Sequence, residues 1–334
     1  MRFGMFVPQG WRHDLVGIET ADQWRVMHGL AAYADDADSG WDTIWVYDHF
    51  HTVPTPSLTE ATHEAWSLMA AYAASTNRVR IGQMCTCMGY RNPAYLAKVA
   101  ATVDIVSGGR LDMGIGGGWY EHEWRAYGYG FPPIPERLGR LREGVEIMHQ
   151  AWTTGQATLE GEYYQVDGAI VQPQPLQPGG IPIWVAGGGE KVTLKIAAKY
   201  ASYTNFGGSP EEFAHKSEVL RGHCEALGRD FSAITRSTEF RTVIGTDAAD
   251  VAARLDRIEA RVAPHLGPEA TARYMGEYRN DSPHTLVGTP AEIVGILDER
   301  RELGLGYSVI YSPEAAYDRS GLELFATEVM PALR

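Results

Sequence analysis

The feature that most constrains this chain is a repeated alternation of short apolar runs with longer segments of helical period. Residues 43–47 and 181–186 are apolar runs of strand length, whereas residues 94–106 carry apolar side chains at helical spacing. A strand followed by a helix, repeated along the chain, is typical of parallel βα units. The alternation yields about eight strands, which favours one (β/α)8 barrel over two doubly wound domains. We therefore expect residues 1–334 to form a single TIM-barrel domain.

The pattern predicts the following elements. Strands are predicted at 2–8, 43–47, 79–87, 110–115, 181–186, 203–206, 236–244 and 307–311. Helices are predicted at 21–37, 64–74, 94–106, 136–153, 190–199, 210–227, 247–262, 290–303 and 321–331. Ser107, Gly108 and Gly109 should end the third helix, because glycine accepts the left-handed conformation of a helix C-terminus.

Two stretches interrupt the repeat and are predicted to be insertions. Residues 119–135 are rich in aromatic side chains, glycine and proline and lack a clean period, which indicates a loop. Within residues 157–180, the part up to Val166 alternates like a β-hairpin with its turn at residues 160–162.

Charge and cysteine content exclude several classes of protein. With 29 Lys and Arg against 42 Asp and Glu, the net charge is −13, which argues against nucleic acid as a partner because phosphates attract a basic surface. Three cysteines are too few for a disulfide framework and fit a reducing cytoplasm. The N-terminus is typical of a strand and not of a signal peptide, and no apolar run approaches the ~20 residues that span a bilayer.

The glycine runs do not match the common nucleotide-binding motifs. The run from Gly114 to Gly118 would need glycine at 119 to complete G-x-G-x-x-G, and that position is Trp119. The run from Gly187 would need glycine at 192, which is Val192. No G-K-[ST] sequence occurs, so neither a dinucleotide-binding Rossmann unit nor a P-loop is predicted.

In a barrel, the active site lies where the strands end, and Asp48 and His49 follow the second strand. Histidine titrates nearest neutral pH, so His49 is a candidate for proton transfer and Asp48 for a hydrogen bond to a cofactor. A structural role for the pair is an equally good interpretation. His49 and His51 as ligands of a metal are a weaker one, because the other strand ends lack further ligands.

Glycines follow the fourth and fifth strands at residues 116–118 and 187–189. Backbone without a Cβ lets a flat ring or a phosphate approach closely, and the second run precedes a predicted helix whose N–H groups attract anions. Either run alone would more often be a tight turn, but two on one face favour a large planar ligand.

Cys85 and Cys87 are expected to be buried and inert. Acid–base catalysis by paired carboxylates ranks lower, because Glu121, Glu123 and Glu190 have no assigned place.

These residues resemble those of the luciferase-like flavin and deazaflavin oxidoreductases. The similar segments are residues 47–50, 91–94, 107–119, 184–190 and 288–290. The likeness extends over essentially the whole chain, and the run from Ser107 to Trp119 is its most specific part. Within the family, the chain is most similar to the branch that uses the deazaflavin coenzyme F420.

The resemblance implies a barrel of the bacterial-luciferase type with insertions, usually a homodimer, that binds the cofactor ring at the mouth of the barrel. It implies that Asp48 bonds the deazaflavin ring and that His49 lies next to the reacting carbon C5. It also implies a cis peptide between Met84 and Cys85 behind the ring. Further cofactor contacts are implied for Cys87, Gly117, Gly118, His122, Ala186, Gly187, Gly188 and Gly189, the last three at the phosphate.

The chain departs from the sugar-phosphate dehydrogenases of this branch at two positions. That branch has tryptophan four residues after the active histidine and glutamate after the fourth-strand glycines, where this chain has Val53 and Trp119. The substrate therefore does not carry over, and Val53 and Trp119 are expected to line a different pocket.

The resulting hypothesis is an F420-dependent oxidoreductase that transfers a hydride between C5 and a small organic molecule. The alternatives are an FMN-dependent monooxygenase of the same superfamily and a non-catalytic barrel that binds the deazaflavin. No metal is expected at the site.

Overall fold

The structure is a computed structural model that describes residues 1–280 and 282–334. Its strands, in chain order, are β1 Arg2–Phe6, β2 Thr43–Val46, β3 Arg80–Gln83, β4 Thr86–Cys87, β5 Leu111–Gly116, β6 Gln156–Glu160, β7 Gln165–Ile170, β8 Ile183–Ala186, β9 Tyr203–Asn205, β10 Thr235–Ile244, β11 Thr285–Gly288 and β12 Leu305–Tyr311.

Helices occupy most of the connections between these strands. In chain order they are α1 Thr20–Asp35, α2 Ala65–Ser75, α3 Pro93–Val106, α4 Glu121–Ala126, α5 Ile134–Thr154, α6 Thr193–Tyr200, α7 Pro210–Ala226, α8 Ala248–Leu266, α9 Pro268–Arg279, α10 Pro290–Glu302, α11 Ser320–Leu324 and α12 Met330–Leu333. A π-helical turn, Phe325–Val329, joins the last two. None of the helices in the described residues is long and apolar enough to cross a membrane.

The chain divides into two structural units. The first unit comprises Met1–Glu64, Gly207–Ala214 and Arg236–Arg334. Its parallel strands follow the order β11, β10, β12, β1, β2. β1 is flanked by β12 and β2, and its residues from Phe3 to Phe6 are buried. A Cβ at Gly4 would lie 2.4 Å from the indole nitrogen of Trp45, so glycine is what lets that ring pack against β1.

The second unit comprises Ala65–Phe206 and His215–Thr235. Its parallel strands follow the order β3, β5, β8, β9, and β4 also pairs with β5. Every residue of β5 is buried, as expected of a parallel strand covered on both faces. The hairpin formed by β6 and β7 is antiparallel and separate from this sheet.

Local signals account well for the ends of α3. Asn92 caps its start, because the side-chain oxygen accepts hydrogen bonds from the backbone N–H groups of Ala94 and Tyr95. Gly108 and Gly109 follow its end with φ angles of 71° and 84°, which confirms the predicted stop.

Several predictions differ from the structure. The strand predicted over 79–87 is two strands, β3 and β4, separated by Met84 and Cys85. The segment 119–135, predicted as an insertion loop, contains the helix α4 and the first two residues of α5. Helix α9 was not predicted, because its mixture of charged and aromatic residues has no clear apolar period. Strand β11 was not predicted either, because its four residues are too few to show a pattern.

Candidate active site

In the first unit, His49 lies just beyond the end of β2 with its ring held flat. The Trp11 indole, from the segment after β1, stacks on the imidazole with ring centroids 4.0 Å apart and an angle of 4° between the planes. His49 is partly exposed, whereas the preceding Asp48 is buried. The structure thus fixes the plane of a titratable ring at a strand end and places a buried carboxyl group beside it in the chain.

The backbone before His49 is held by a side chain. The buried amide of Gln9 donates a hydrogen bond to the carbonyl of Tyr47 and accepts one from its N–H, both at 2.8 Å. Trp11 contributes a further contact, because its carbonyl accepts a hydrogen bond of 2.8 Å from the N–H of Val53. The residues after β1 therefore position both His49 and the start of the loop that follows it.

Val53, a predicted pocket residue, is buried in this loop. The loop is also tied to the last third of the chain. The His265 ring contacts the Glu60 carboxylate at 2.9 Å, and Arg273 donates a hydrogen bond of 3.2 Å to the carbonyl of Pro54. Helices α8 and α9 thus help to set the position of the loop that carries Val53.

The first unit contains a titratable cluster that the sequence analysis did not identify. The Tyr47 hydroxyl donates a hydrogen bond of 2.9 Å to the Oε1 atom of Glu239, on β10. Arg241, two residues along the same strand, lies 3.1 Å from the Glu277 carboxylate, which also accepts from Arg12. Burial raises the pKa of Glu239, although Tyr47, Arg241 and Arg12 oppose the shift. The contact between Tyr47 and Glu239 joins residues 192 positions apart, so no local signal could have revealed it.

In the second unit, the predicted cysteines face the end of β5. The peptide bond between Met84 and Cys85 is cis, as the resemblance implies. A Cβ built on Gly116 would lie 2.7 Å from the Cys85 sulfur, and one on Gly118 would lie 2.4 Å from the Cys87 sulfur. Cys87 is buried, as expected, but Cys85 is only partly buried, so the prediction of full burial is wrong for Cys85.

The aromatic residues after β5 divide into two groups. Trp124 is buried and packs on Gly89, so closely that a Cβ there would lie 1.9 Å from its ring. Trp119 is 59% exposed, and His122 is exposed on α4. The segment therefore has its own small core, one of the two interpretations of its aromatic residues, and also presents Trp119 at the surface. Gly117 lies against Leu138 of α5.

The glycines after β8 form an open loop beside a lysine. Gly187 has a φ of 112°, and Ala186 before it is partly exposed. The Lys216 side chain runs along Gly188, because a Cβ on that glycine would lie 2.8 Å from the lysine nitrogen. Exposed backbone, a helix that starts four residues after Gly189 and a lysine together suit an anion such as a phosphate. That helix begins at Thr193 and not at residue 190 as predicted.

Two histidines of α7 flank the same loop. His215 lies 3.0 Å from the Glu190 carboxylate, and the His223 ring contacts the carbonyl of Glu190 at 2.8 Å. Glu190 is therefore engaged by this helix, which accounts for one of the carboxylates that the sequence left unassigned. In the described part of the chain, no group of three or more His, Cys, Asp or Glu residues is arranged to hold a metal ion.

Comparison with known proteins shows where such a chain belongs. Residues 1–306 match the family described as luciferase-like monooxygenase. An F420-dependent glucose-6-phosphate dehydrogenase of Kineococcus radiotolerans is 30% identical over 327 residues, which cover 91% of this chain and 93% of that protein.

Solved structures agree with the family assignment at the level of the fold. An F420-dependent secondary alcohol dehydrogenase in complex with an F420-acetone adduct superimposes with a TM-score of 0.78 at 22% identity, covering 100% of this chain and 99% of the other. The monooxygenase RslO1 from Streptomyces bottropensis gives a TM-score of 0.79 at 21% identity and covers 100% of both chains. The predicted (β/α)8 barrel of the bacterial-luciferase type is thereby confirmed, with the additional strands described above. The chain belongs to the luciferase-like monooxygenase family.

Proposed function

We propose that this protein is an F420-dependent oxidoreductase that acts on a small organic molecule. The observation that carries the proposal is the His49 ring, stacked on Trp11 next to the buried Asp48, in a chain whose relatives are F420-dependent dehydrogenases. When bound, F420 supplies or accepts a hydride at C5, while the protein provides orientation and proton transfer.

His49 is the residue that we assign to the accompanying proton. Its ring plane is fixed by Trp11 and its position by the Gln9 amide, so little reorganisation is needed for a proton to move at an imidazole nitrogen. Asp48 is assigned to orient the deazaflavin ring by a hydrogen bond.

The residues of the second unit are assigned to binding. The Gly188 backbone beside Lys216 offers a cradle for a phosphate that a Cβ would partly fill, so this loop suits a phosphate-bearing cofactor. The contacts proposed for the cofactor in this unit come from Met84, Cys85, Cys87, Gly117, Gly118, His122, Ala186, Gly187, Gly188 and Gly189.

Val53 and Trp119 are proposed to shape the substrate pocket. Both replace residues that the sugar-phosphate dehydrogenases have at these positions, so a substrate other than a sugar phosphate is proposed. We also propose a homodimer located in the cytoplasm, with no nucleic-acid or membrane partner. Light scattering after size-exclusion chromatography tests the dimer, and a mass of one chain, 36.8 kDa, would contradict it.

The decisive experiment is a pair of equilibrium titrations of cofactor-free protein, one with F420 and one with FMN, followed by fluorescence or calorimetry. Tighter binding of F420 is expected and leads to a panel of secondary alcohols, ketones, enones and imines, with glucose 6-phosphate included. Tighter binding of FMN, with oxygen uptake, would instead support the monooxygenase, which the family of the chain makes the second candidate.

Two further outcomes would overturn the proposal. Failure to bind either cofactor would remove the assignments of Asp48, His49 and the glycine loop together. Tight binding of F420 without turnover of any compound in the panel would indicate a barrel that stores the deazaflavin and does not use it.

A further inference from the structure

We propose that Glu239 is a second proton-transfer residue of this site and that it exchanges a proton with the reacting oxygen of the substrate. The substrate class is then an alcohol and its carbonyl counterpart. This inference rests on the proposed function and adds a second proton to it: Glu239 exchanges the proton of the substrate oxygen, and His49 keeps the proton that the deazaflavin ring gains or loses. It adds a residue that neither the glycine motifs nor the strand-end residues indicated.

The strand register places Glu239 on the face of β10 that is turned toward the end of β2, where Tyr47 precedes His49. Residues two apart on a strand point to the same side, so Glu239 and Arg241 share a face of β10. Arg241 is in register with Tyr311 on β12, and the Tyr311 ring lies 6.2 Å from that of Tyr47. The hydrogen bond from Tyr47 to Glu239 confirms that this face is the one toward the end of β2.

Tyr47 connects Glu239 to the His49 ring. Its own ring centroid lies 6.4 Å from that of His49 and 4.2 Å from that of Trp11, the residue that stacks on His49. A positive charge on His49 is one of the influences that lower the pKa of Glu239, as expected for neighbouring groups. The carboxyl group and the imidazole therefore belong to one side-chain cluster of the first unit, with Tyr47 between them.

The two arginines near Glu239 form ion pairs with a different carboxylate, that of Glu277. Glu277 pairs with Arg12 and with Arg241, whose side chain is about a quarter exposed, so neither arginine is bound to Glu239. Among the described residues, the hydrogen bonds of the Glu239 side chain are limited to the one that Oε1 receives from Tyr47. The Oε2 atom is thus left to carry a proton, and Glu239 is partly exposed, as a group that meets a substrate must be.

The groups facing Glu239 set the direction of its titration. Burial raises its pKa above that of an ordinary glutamate, against the opposing influences of Tyr47, Arg241, Arg12 and His49. The pKa of Tyr47 is raised well above the usual value by burial and by Glu239, so this hydroxyl stays protonated and keeps donating. A carboxyl group whose pKa is raised holds its proton more tightly than an ordinary glutamate, and serves as an acid in one direction and a base in the other.

In the reductive direction, reduced F420 would supply a hydride to the carbonyl carbon and become oxidised F420, and its ring proton would pass to His49. The C=O π bond breaks as the carbon receives the hydride, and the oxygen takes the proton from Oε2 of Glu239. The products at the substrate are new C–H and O–H bonds, and Glu239 is left as a carboxylate held by the Tyr47 hydroxyl. Solvent then returns a proton to Glu239. In the oxidative direction the same carboxylate accepts the hydroxyl proton as the hydride leaves.

The test compares Glu239→Gln with Glu239→Asp, with Tyr47→Phe as a third variant. Glutamine accepts the hydrogen bond of Tyr47 and preserves shape but carries no exchangeable acid proton. We expect Glu239→Gln to lower kcat for any alcohol or ketone of the panel by about 10²–10⁴-fold. The Kd of F420 should stay within a few-fold, and Glu239→Asp should recover part of the rate. A purely structural role would leave kcat of Glu239→Gln near that of the wild type.

A second measurement needs neither substrate nor cofactor. Carbon-13 NMR of protein labelled at glutamate carboxyls should show one resonance that titrates above the ordinary range near pH 4.3 and is missing from Glu239→Gln. In Tyr47→Phe this resonance should titrate at still higher pH, because the hydrogen bond that lowers the pKa is gone. An ordinary titration of Glu239, or no change in Tyr47→Phe, would overturn the inference.

The kinetic and NMR measurements distinguish failure of the proposed function from failure of the inference about Glu239. If F420 does not bind while the NMR titration is as expected, the proposed function has failed and the titrating cluster stands. If F420 binds and only imines or enones react, the assignment of an alcohol or carbonyl substrate is wrong. If Glu239→Gln turns over alcohols at the rate of the wild type, Glu239 is not a proton-transfer residue.

Discussion

The two units of this protein supply different kinds of residue to the proposed function. In the first, Trp11, His49, Tyr47 and Glu239 are large or titratable side chains whose positions are fixed by stacking and hydrogen bonds. In the second, the assigned residues are mostly glycines and cysteines, which leave backbone accessible beside Lys216. Under the proposed function, the first unit contributes the residues for proton transfer and the second contributes the residues that bind a large anionic cofactor. Variants in the two units should therefore fail in different ways.

The largest effect is expected from His49→Ala. Removal of the imidazole eliminates the assigned proton-transfer group but leaves the glycine loop of the other unit intact. We expect kcat to fall by about 10²–10⁴-fold while the Kd of F420 changes by no more than a few-fold. Steady-state kinetics and fluorescence titration measure the two quantities. Near wild-type turnover would contradict the role of His49.

Gly188→Ala should show the opposite pattern. The added Cβ would lie 2.8 Å from the Lys216 nitrogen, so it displaces the lysine and narrows the cradle. We expect the Kd of F420 to rise about tenfold, with kcat at saturating cofactor little changed. Gly222→Ala is the matched control, because its Cβ meets nothing within 4 Å. Equal effects of the two variants on Kd would remove the cradle from the binding site.

Lys216→Met tests the same glycine loop, and its expected effect on F420 binding is smaller. Loss of one cation near a bound anion should weaken F420 binding by about three- to tenfold at low ionic strength, and less in high salt. If Gly188→Ala acts by moving this lysine, the Kd of the double variant for F420 should be about the same as that of the single variant that binds F420 less tightly. Additive losses would show that the two residues act independently.

The smallest expected effect is a pH-dependent change in stability caused by Glu239. Because its pKa is raised on folding, the folded protein binds this proton more tightly than the unfolded chain. Stability is therefore lost as pH rises from the unfolded pKa, near 4.3, through the folded pKa. Glu239→Gln escapes this loss, so its Tm relative to that of the wild type should increase between pH 5 and pH 8. A constant difference in Tm would show that the pKa is not raised.

The sequence was sufficient to predict elements whose structure depends on residues close together in the chain. The end of α3 at Gly108 and Gly109 and the hairpin of β6 and β7 depend on short stretches of chain, and both were predicted. The hairpin connection lies at residues 161–164 and not at the predicted 160–162, and β7 continues to Ile170. The interruption at Met84 and Cys85 was not visible as a break in the strand pattern, because both residues are apolar enough to continue it.

The candidate site was only partly accessible from the sequence for a different reason. Asp48 and His49 could be proposed as site residues because they directly follow an apolar run, a signal carried by adjacent residues. Glu239 lies within a strand of mixed polarity and gains its significance from Tyr47, far away in the chain. The order of the strands predicts which strand ends lie at the mouth of the barrel, but not which side chains of distant strands meet, so this partnership required the fold.

The hydrogen bonds of Gln9 with Tyr47 also bear on how such an enzyme can change. Just beyond the end of β2, the N–H and the carbonyl of Tyr47 are both bonded to the Gln9 side chain. Substitution at position 9 can thus alter the tilt of the His49 ring while β1 and β2 keep their pairing. Proteins that share this fold can diverge through such a contact, because a substitution there changes the orientation of one side chain without disrupting the sheet.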